Sequence, residues 1–325
     1  MELKPEIIDR LKKLDEKYET MGQNLVSYLD GLLYADYLTY WDYIHLDTLL
    51  SLQTPKTSIP DEHIFIMYHQ ITELHFKLVL HELKQLSLNP ELKSADLLKT
   101  LSRINRYFNA LIDSFDIMVD GMDPAQFHKF RMSLLPASGF QSGQYRMIEI
   151  YCTEFIHLIL QEQRSKFSGY PTDSMIEQMY PHIYWQTGAT ELASGKKTLT
   201  LKQFELKYST ELIRLAKQCR VGNLWVRYQS LPEADRQDSK LINALKILDL
   251  NVNVNWPLSH YKSAVRYLQG DPEDIAATGG TNWQKYLPPR FQKRIFYPEL
   301  WSKEEIENWG KNWVRSVVFK EANSE

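Results

Sequence analysis

The sequence is short of glycine and cysteine. Glycine accounts for 13 of 325 residues, about 4%, against a usual ~7%. Because glycine-rich loops bind phosphate groups and tight hairpins need glycine, this shortage argues against both and favours helices. The two cysteines, Cys152 and Cys219, form no C-x-x-C pair. We therefore expect neither a disulfide scaffold nor a thiolate zinc site.

The sequence also lacks a long apolar run and an excess of basic residues. No stretch approaches the ~18 uncharged apolar residues of a membrane span, and the N-terminal segment is acidic where a secretion signal is basic. Lys and Arg total 38 against 41 Asp and Glu, a net charge of -3, whereas nucleic-acid-binding proteins carry a basic excess or stripe. We therefore expect a soluble, cytoplasmic protein with no nucleic-acid or membrane partner.

What the sequence does contain is a globular composition with many aromatic residues. Hydrophobic residues make up 43% and charged residues 24% of the chain, which excludes a disordered or fibrous protein. There are 19 Tyr, 13 Phe and 8 Trp. This number of aromatic side chains indicates a deep apolar interior or a pocket.

Apolar residues recur at three- and four-residue steps along most of the chain. The pattern from Ile7 to Met21 predicts an amphipathic N-terminal helix. Further helical patterns cover residues 61–88, 94–119, 199–228 and 238–269, and one more begins after residue 138. Asp123 and Pro124 open a short segment that ends near Pro136, and a capping box at residue 302 begins a C-terminal helix. No strand-like alternation is convincing. We predict an all-α fold, a single large domain over residues 1–325 with an N-terminal helical extension over residues 1–36.

Two residues in apolar surroundings have both a structural and a functional interpretation. His260 lies on an apolar stripe with Trp256 and Ala264, where an imidazole is either a satisfied core residue or an axial ligand to haem iron. Arg131 lies in a segment poor in charge, and a buried guanidinium needs a partner. That partner is either an internal carboxylate or the carboxylate of a ligand, bound bidentately.

Four histidines recur every six residues in the segment 61–88, at positions 63, 69, 75 and 81. Six residues rotate a helix by about 240°, so these side chains spread around the helix and cannot share one metal ion. His69 differs from the others because Phe65 and Glu73 flank it on the same face. Its imidazole is therefore a candidate to point into a space lined by aromatic residues.

Three blocks of sequence together resemble tryptophan 2,3-dioxygenases. The first is YWDYIHLDTLL from Tyr40, the second is PDEHIFIMYHQITELHFK from Pro60, and the third runs from Phe130 through PASGFQSGQYR to Arg146. With the His260 region and the TGGT motif at Thr278, the resemblance extends over residues 36–300. It implies an all-helical enzyme that binds haem b, with ferrous iron in the active state, and oxidises L-tryptophan with O2 to N-formyl-L-kynurenine. The family is usually homotetrameric.

The resemblance also implies roles for individual residues. His260 matches the proximal iron ligand, His69 the distal histidine that faces the indole N–H, and Arg131 the residue that binds the substrate carboxylate. Three residues match positions around the substrate: Phe65, Phe127 and Thr278. Three match haem-side positions: Phe115, Ser138 and Tyr145. Three match residues that reach into the site of a neighbouring subunit: Tyr40, Tyr43 and Ile44.

Two other functions remain open at the level of sequence. One is a haem monooxygenase of the same superfamily, which inserts one oxygen atom into an aromatic amino acid or an indole derivative. The other is a catalytically silent helical oligomer that binds haem or an aromatic ligand.

The sequence departs from the family near His260, where Pro257 stands in place of a usual basic residue, and near Thr278, where Ala277 replaces a common glycine.

Overall fold

Every regular element in the part of the chain that the structure describes is helical. The structure, a computed structural model, describes residues 3–35, 38–134, 141–169, 171–189, 196–268 and 293–310. Within these ranges there is no β-strand, and an isolated antiparallel bridge joins Ile159 and Ile183. No helix in them is long and apolar enough to cross a membrane. The prediction of an all-α fold is confirmed.

The first compact unit is Met1–Thr54. Its helices are α1 (Pro5–Thr20), α2 (Leu25–Leu33), α3 (Tyr40–Tyr43) and α4 (Leu46–Leu50). The predicted N-terminal helix is confirmed and begins at Pro5, where a missing N–H costs no helical hydrogen bond. The side chain of Asn24 caps α2 by accepting from the amide of Val26 over 2.8 Å.

The second compact unit is Pro55–Glu325. Its helices are α5 (Asp61–Leu88), α6 (Ser94–Asp113), α7 (Asp116–Val119), α8 (Pro124–Phe130), α9 (Gly143–Cys152), α10 (Asp173–Met179), α11 (Tyr184–Gly188), α12 (Leu199–Cys219), α13 (Leu224–Gln229), α14 (Glu233–Arg236), α15 (Ser239–Leu250), α16 (Trp256–Leu268) and α17 (Lys303–Glu307). Whether the two units act as one domain, as the sequence predicts, stays a prediction.

Two apolar clusters in the second unit position the candidate site. The main core joins α5, α6, α9, α12 and α15, and includes fully buried Leu83, Ile104 and Leu245. Side chains of this kind each contribute roughly 1.5–3 kcal/mol on burial. A second cluster consists of Tyr68, Phe115, Met118, Val119, Met122, Phe127, Phe130 and Tyr267. Trp256, at the start of α16, packs against both clusters.

Three predicted helices are interrupted in the structure. The segment 94–119 breaks after α6, where the hydroxyl of Ser114 donates to the carbonyl of Leu111 over 2.7 Å and competes with the helical ladder. The segment 199–228 breaks before Asn223, whose side chain begins α13 as its N-cap. The segment 238–269 contains one π-helical turn, Asn251–Asn255, between α15 and α16. The segment after Asp123 forms α8 and then a 3-10 turn, Arg131–Leu134.

Asp249, in α15, attaches the C-terminal segment to the core. Its carboxylate is fully buried and accepts hydrogen bonds from the amides of Phe296 and Tyr297 and from the indole of Trp301. Burial raises the pKa of Asp249 to about 6, while these donors act in the opposite direction. The carbonyl of Phe296 in turn accepts from the hydroxyl of Thr153 over 2.7 Å. These bonds fix the segment 294–301 against α15, the helix that leads towards His260.

Candidate active site

The start of α5 and the start of α8 are bonded to each other. The carboxylate of Asp61 accepts from the amide of Asp123 over 2.6 Å, and the carboxylate of Asp123 caps α8 by accepting from the amide of Ala125 over 2.7 Å. In return, the amide of Asp61 donates to the side chain of Gln126 over 3.3 Å. This reciprocal capping sets where the aromatic residues of α5 lie relative to those of α8.

Helix α16 is bonded to the turn formed by residues 116–122. The hydroxyl of Ser263 donates to the carbonyl of Met118 over 3.3 Å. The hydroxyl of Tyr267 lies 3.1 Å from the carbonyls of both Val119 and Met122 and shares its one proton between them. These contacts lie on the same face of α16 as His260, because residues 260, 263 and 267 are spaced by one and two turns.

Contacts between aromatic rings connect α5, α8 and α16 through the second cluster. The ring of Phe65 lies 4.1 Å from that of His69 and 6.3 Å from that of Phe127. The ring of Phe115 lies 5.6 Å from that of Tyr68 and 5.8 Å from that of His260. The structure therefore brings five residues that the sequence singled out into one aromatic environment: Phe65, His69, Phe115, Phe127 and His260.

His69 presents a neutral imidazole with a defined tautomer. Its Nδ1 lies 2.7 Å from the carbonyl of Phe65, which can only accept, so Nδ1 carries the proton and Nε2 is the nitrogen that can accept. The pKa of His69 is lowered by desolvation, against the opposing effects of the Phe65 carbonyl and of Glu73. The residue as a whole is exposed.

His260 is a second neutral imidazole in the same environment. Burial, followed by the charge of His69, lowers the pKa of His260 to about 4. At neutral pH its ring therefore has a lone pair available to a metal. Phe115 lies against it, and the ring of Phe115 is in turn 4.9 Å from that of Trp256. The charge of His69 acts in the same direction as burial on this pKa.

Arg131 is buried directly after the aromatic residues of α8. Its side chain is only 6% exposed, and desolvation lowers the pKa of its guanidinium. Its neighbour Phe130 is fully buried, with its ring 5.8 Å from that of Phe65. A guanidinium at this position can bind a carboxylate strongly because little water competes for it.

The other expected site residues lie elsewhere or outside the described residues. Tyr145 belongs to the main core, where its hydroxyl donates to the carbonyl of Val252 over 2.6 Å. It is linked to the second cluster through Phe76, whose ring lies 5.4 Å from that of Tyr145 and 5.7 Å from that of Trp256. Two expected residues, Ser138 and Thr278, lie outside the described residues. Three lie in the first unit, where they expose 69%, 74% and 36% of their surface: Tyr40, Tyr43 and Ile44.

The structure adds three residues to the site that the sequence did not single out as functional. Tyr68 lies beside His69, with its ring 6.0 Å away, and its hydroxyl is 3.5 Å from that of Ser114. Trp256 and Tyr267 support Phe115 and Phe127, whose rings lie 4.9 Å from theirs. The sequence pattern already placed Trp256 and Tyr267 on the same apolar stripe as His260. No local pattern distinguished Tyr68 from a core tyrosine.

The residues present fit a haem group better than a bare metal ion. Among the described residues, no group of three or more His, Cys, Asp or Glu side chains is placed to hold a metal ion. Haem iron needs a single protein ligand and an apolar slot for the macrocycle. His260 supplies a neutral nitrogen, Phe115 supplies an apolar wall beside it, and Trp256 packs against Phe115.

Comparisons with known proteins agree on one family. A family model described as tryptophan 2,3-dioxygenase matches residues 29–178. A tryptophan 2,3-dioxygenase of Herpetosiphon aurantiacus is 31% identical over 280 residues, which cover 82% of this chain and 96% of that protein. One of Bacillus thuringiensis is 29% identical over 299 residues, covering 87% of this chain and 98% of its own. One of a Ruegeria species is 44% identical over 117 residues, 36% of this chain and 42% of that protein.

Proposed function

Because the chain belongs to the tryptophan 2,3-dioxygenase family, we propose that it oxidises L-tryptophan with O2 to N-formyl-L-kynurenine. In this reaction the C2–C3 bond of the indole breaks and each of the two carbons takes one oxygen atom as a carbonyl. No other oxidant or reductant is consumed. The protein must therefore hold the indole beside bound oxygen, exclude water and bind the amino-acid end of the substrate.

Haem b is the cofactor of this proposal, and His260 is its iron ligand. When bound, haem iron in the ferrous state supplies the site at which O2 is activated. The lowered pKa of His260 keeps its ligating nitrogen unprotonated down to about pH 4. Phe115 packs beside His260, and Trp256 packs against Phe115. We propose haem-side positions for Phe115, Ser138 and Tyr145 as well.

We assign His69 to the orientation of the indole. Its Nδ1 proton is committed to the carbonyl of Phe65, so Nε2 can accept the indole N–H. Desolvation keeps the ring neutral, because it lowers the pKa of His69. A neutral acceptor at this position fixes the rotation of the indole. In this role His69 does not act as a base that removes the indole proton. Phe65 and Phe127, 6.3 Å apart, form apolar walls for the ring of the substrate.

Arg131 binds the substrate carboxylate in this proposal, and Thr278 lies near the substrate ammonium. Burial strengthens the first interaction, since a desolvated guanidinium gains more from a carboxylate than an exposed one does. The role of Thr278 rests on the family resemblance. Together, the carboxylate, the indole N–H and the indole ring define three contacts, which are enough to fix one pose of an amino acid.

The observation that carries the proposal is the presence of two neutral imidazoles, His69 and His260, in one aromatic environment. The decisive experiment is a product assay. Purified protein is reduced without oxygen, given L-tryptophan and air, and monitored for the absorbance of N-formylkynurenine. A hydroxylated product would instead identify the monooxygenase alternative, and the absence of any product would favour the silent binder. The same preparation is expected to show a Soret band that shifts on reduction, and His260→Ala is expected to abolish stable haem binding.

The role of Arg131 has its own test. Arg131→Ala is expected to raise the KM for L-tryptophan strongly, because the substrate carboxylate loses its cation. Tryptamine lacks that carboxylate, so its kinetics should change much less in the same variant. Arg103→Ala serves as a control, since Arg103 pairs with Glu82 on α5 and is not assigned to the site. An equal loss for tryptophan and tryptamine would remove Arg131 from the carboxylate role.

We further propose that the enzyme works as a homotetramer. The support is the exposure of Tyr40 and Tyr43 in the first unit, together with the family resemblance that assigns these residues and Ile44 to a neighbouring subunit's site. The cytoplasmic location expected from the sequence stays a prediction.

A further inference from the structure

The helix that carries His260 is separated from α15 by a single π-helical turn. Residues Asn251–Asn255 form this turn, and the amide of Trp256 donates to the carbonyl of Asn251, five residues earlier. A regular α-helix would bond that amide to Val252 instead. π-turns of this kind add one residue to a helix and are frequent at functional sites.

Pro257 provides the physical cause of the π-turn. A proline inside a helix has no N–H, and its ring crowds the carbonyl four residues earlier, here that of Asn253. Widening the helix by one residue relieves this conflict without ending the helix. It leaves the carbonyl of Val252 without a backbone donor, because the amide of Trp256 is bonded to Asn251 and residue 257 has none to give.

Tyr145 supplies the missing donor. Its hydroxyl donates to the carbonyl of Val252 over 2.6 Å, in a part of the core where the ring of Tyr145 is only 7% exposed. Water has little access to this carbonyl. The Tyr145 hydroxyl therefore provides the hydrogen bond that a backbone amide would provide in a regular helix. Burial raises the pKa of Tyr145 to about 12, and the hydroxyl therefore keeps its proton at neutral pH.

Asparagine side chains support the same turn. The side-chain amide of Asn255 donates to the side-chain oxygen of Asn251 over 2.9 Å. The side-chain amide of Asn251 in turn donates to the side-chain oxygen of Asn109, on α6, over 3.2 Å. The hydroxyl of Ser259, next to His260, lies 3.1 Å from the carbonyl of Asn255. The π-turn is thus held from α6 and from α9.

The turn decides which face of α16 points towards the candidate site. One extra residue rotates the following helix by about 100° relative to the preceding one. In the observed rotation, Ser263 and Tyr267 reach the carbonyls of residues 118, 119 and 122, and His260 faces Phe115. Without the extra residue these side chains would lie about a quarter-turn away from their partners.

We propose that Tyr145 is a positioning residue for His260: its hydroxyl stabilises the π-turn imposed by Pro257 and thereby fixes the rotation of α16 that presents His260 to the site. The assignment rests on the proposed function in one respect, namely that His260 binds haem iron. This role is additional to the proposed haem-side position of Tyr145, because its action passes through the backbone of residues 252–260.

Tyr145→Phe, compared with Tyr228→Phe in the purified holoenzyme, tests the proposal. Tyr228 is a matched control because it is also buried and donates to a backbone carbonyl, that of Arg236, over 2.7 Å. Tyr145→Phe is expected to accelerate haem transfer to apomyoglobin about tenfold and to shift the iron–histidine stretching band of the ferrous protein. It should also speed amide hydrogen exchange in peptides covering residues 251–268. Tyr228→Phe should lower thermal stability without these changes.

A second pair of variants tests the link to Pro257. Pro257→Ala restores an amide donor to the turn, so the same Tyr145→Phe change should accelerate haem loss much less in the Pro257→Ala background. An equal effect in both backgrounds would contradict the link to Pro257.

If Tyr145→Phe and Tyr228→Phe gave the same iron–histidine band and haem-loss rate, Tyr145 would be a structural residue only. If the wild-type protein showed no iron–histidine band, the proposed function would fail, and exchange in residues 251–268 would still show whether Tyr145 stabilises the π-turn.

Discussion

At the scale of single residues, the proposed site contains two imidazoles, His69 and His260, whose pKa values are both lowered. Desolvation is the leading cause of the lowered pKa at both His69 and His260. At His69, the bond from Nδ1 to the carbonyl of Phe65 additionally selects the tautomer. One ring is therefore suited to accept a hydrogen bond from a substrate and the other to donate an electron pair to a metal.

The role of Nε2 of His69 can be isolated with a substrate analogue. His69→Ala should lower kcat/KM for L-tryptophan by about 10- to 100-fold, the usual effect of losing one buried hydrogen bond to substrate. 1-Methyl-L-tryptophan has no indole N–H, so its kcat/KM, measured in parallel, should change much less. The matched control is His75→Ala, because His75 lies on the same helix and its Nδ1 is 3.0 Å from the carbonyl of Ile71. Equal losses for both substrates would contradict the assignment of Nε2.

At the scale of elements, the site is formed by short connections rather than by the long helices alone. The turn over residues 116–122 supplies three carbonyls to α16, and it lies between α6 and α8. Gly121 ends this turn, with its amide 3.0 Å from the carbonyl of Ile117. A Cβ atom at residue 121 would lie 2.5 Å from that same carbonyl oxygen, which is backbone and cannot rotate away.

Gly121→Ala is therefore expected to displace the turn and destabilise the fold by roughly 1–3 kcal/mol, the usual cost of forcing extra volume into a packed site. Urea denaturation measures the free energy of unfolding, and the Soret band reports on the wall beside His260. Gly31→Ala is the control, because a Cβ there meets nothing within 4 Å and alanine is the better helix former. An unfolding free energy unchanged by Gly121→Ala would show that the turn adapts freely.

At the scale of the whole molecule, buried histidines link stability to pH. Burial and the charge of Arg164 lower the pKa of His157 to about 4. Between pH 6.5 and about 4 the unfolded chain binds a proton at this residue that the folded protein does not bind. The free energy of unfolding therefore falls as the pH decreases through this range, by up to ~1.4 kcal/mol per pH unit for one such histidine.

His157→Gln should make this decline less steep, because glutamine does not titrate. Urea denaturation of wild type and variant at pH 7, 6 and 5 measures the slopes. His81→Gln, a change at an exposed histidine of α5, is the control. Identical slopes for wild type and His157→Gln would show that other groups set the pH dependence.

The proposed tetramer makes a prediction about mixed assemblies. If Tyr43 of one subunit completes the site of another, Tyr43→Ala and His260→Ala subunits should each be poorly active alone and regain activity when co-expressed. The recovered site combines an intact haem site with an intact Tyr43 from a neighbour. Co-expression of Arg131→Ala with His260→Ala is the control, since both changes fall within one subunit's site and no mixture repairs them. A lack of recovery in the first mixture would contradict the shared site.

The sequence by itself determined the fold class and the long helices, and it supplied the residues of the proposed site. The scarcity of glycine and the helical periodicity indicated α-structure because both act locally, and α5 begins and ends where that periodicity does. The resemblance identified His69, Arg131 and His260. The interruptions at Ser114, Asn223 and Pro257 depend on local hydrogen bonds that periodicity does not detect, so their three helices were predicted as continuous.

Only the tertiary structure decided how the site is assembled. It joined Phe65, Phe115 and Phe127 across more than sixty residues of sequence, since ring contacts depend on helix packing rather than on spacing. It also specified hydrogen bonds that the sequence pattern does not predict. Tyr145 is compatible with a cofactor contact in the sequence, and its hydroxyl is bonded to Val252 in the structure. The reason is physical: a chain's pattern specifies which faces are buried, and only the packed helices specify what each buried polar group meets.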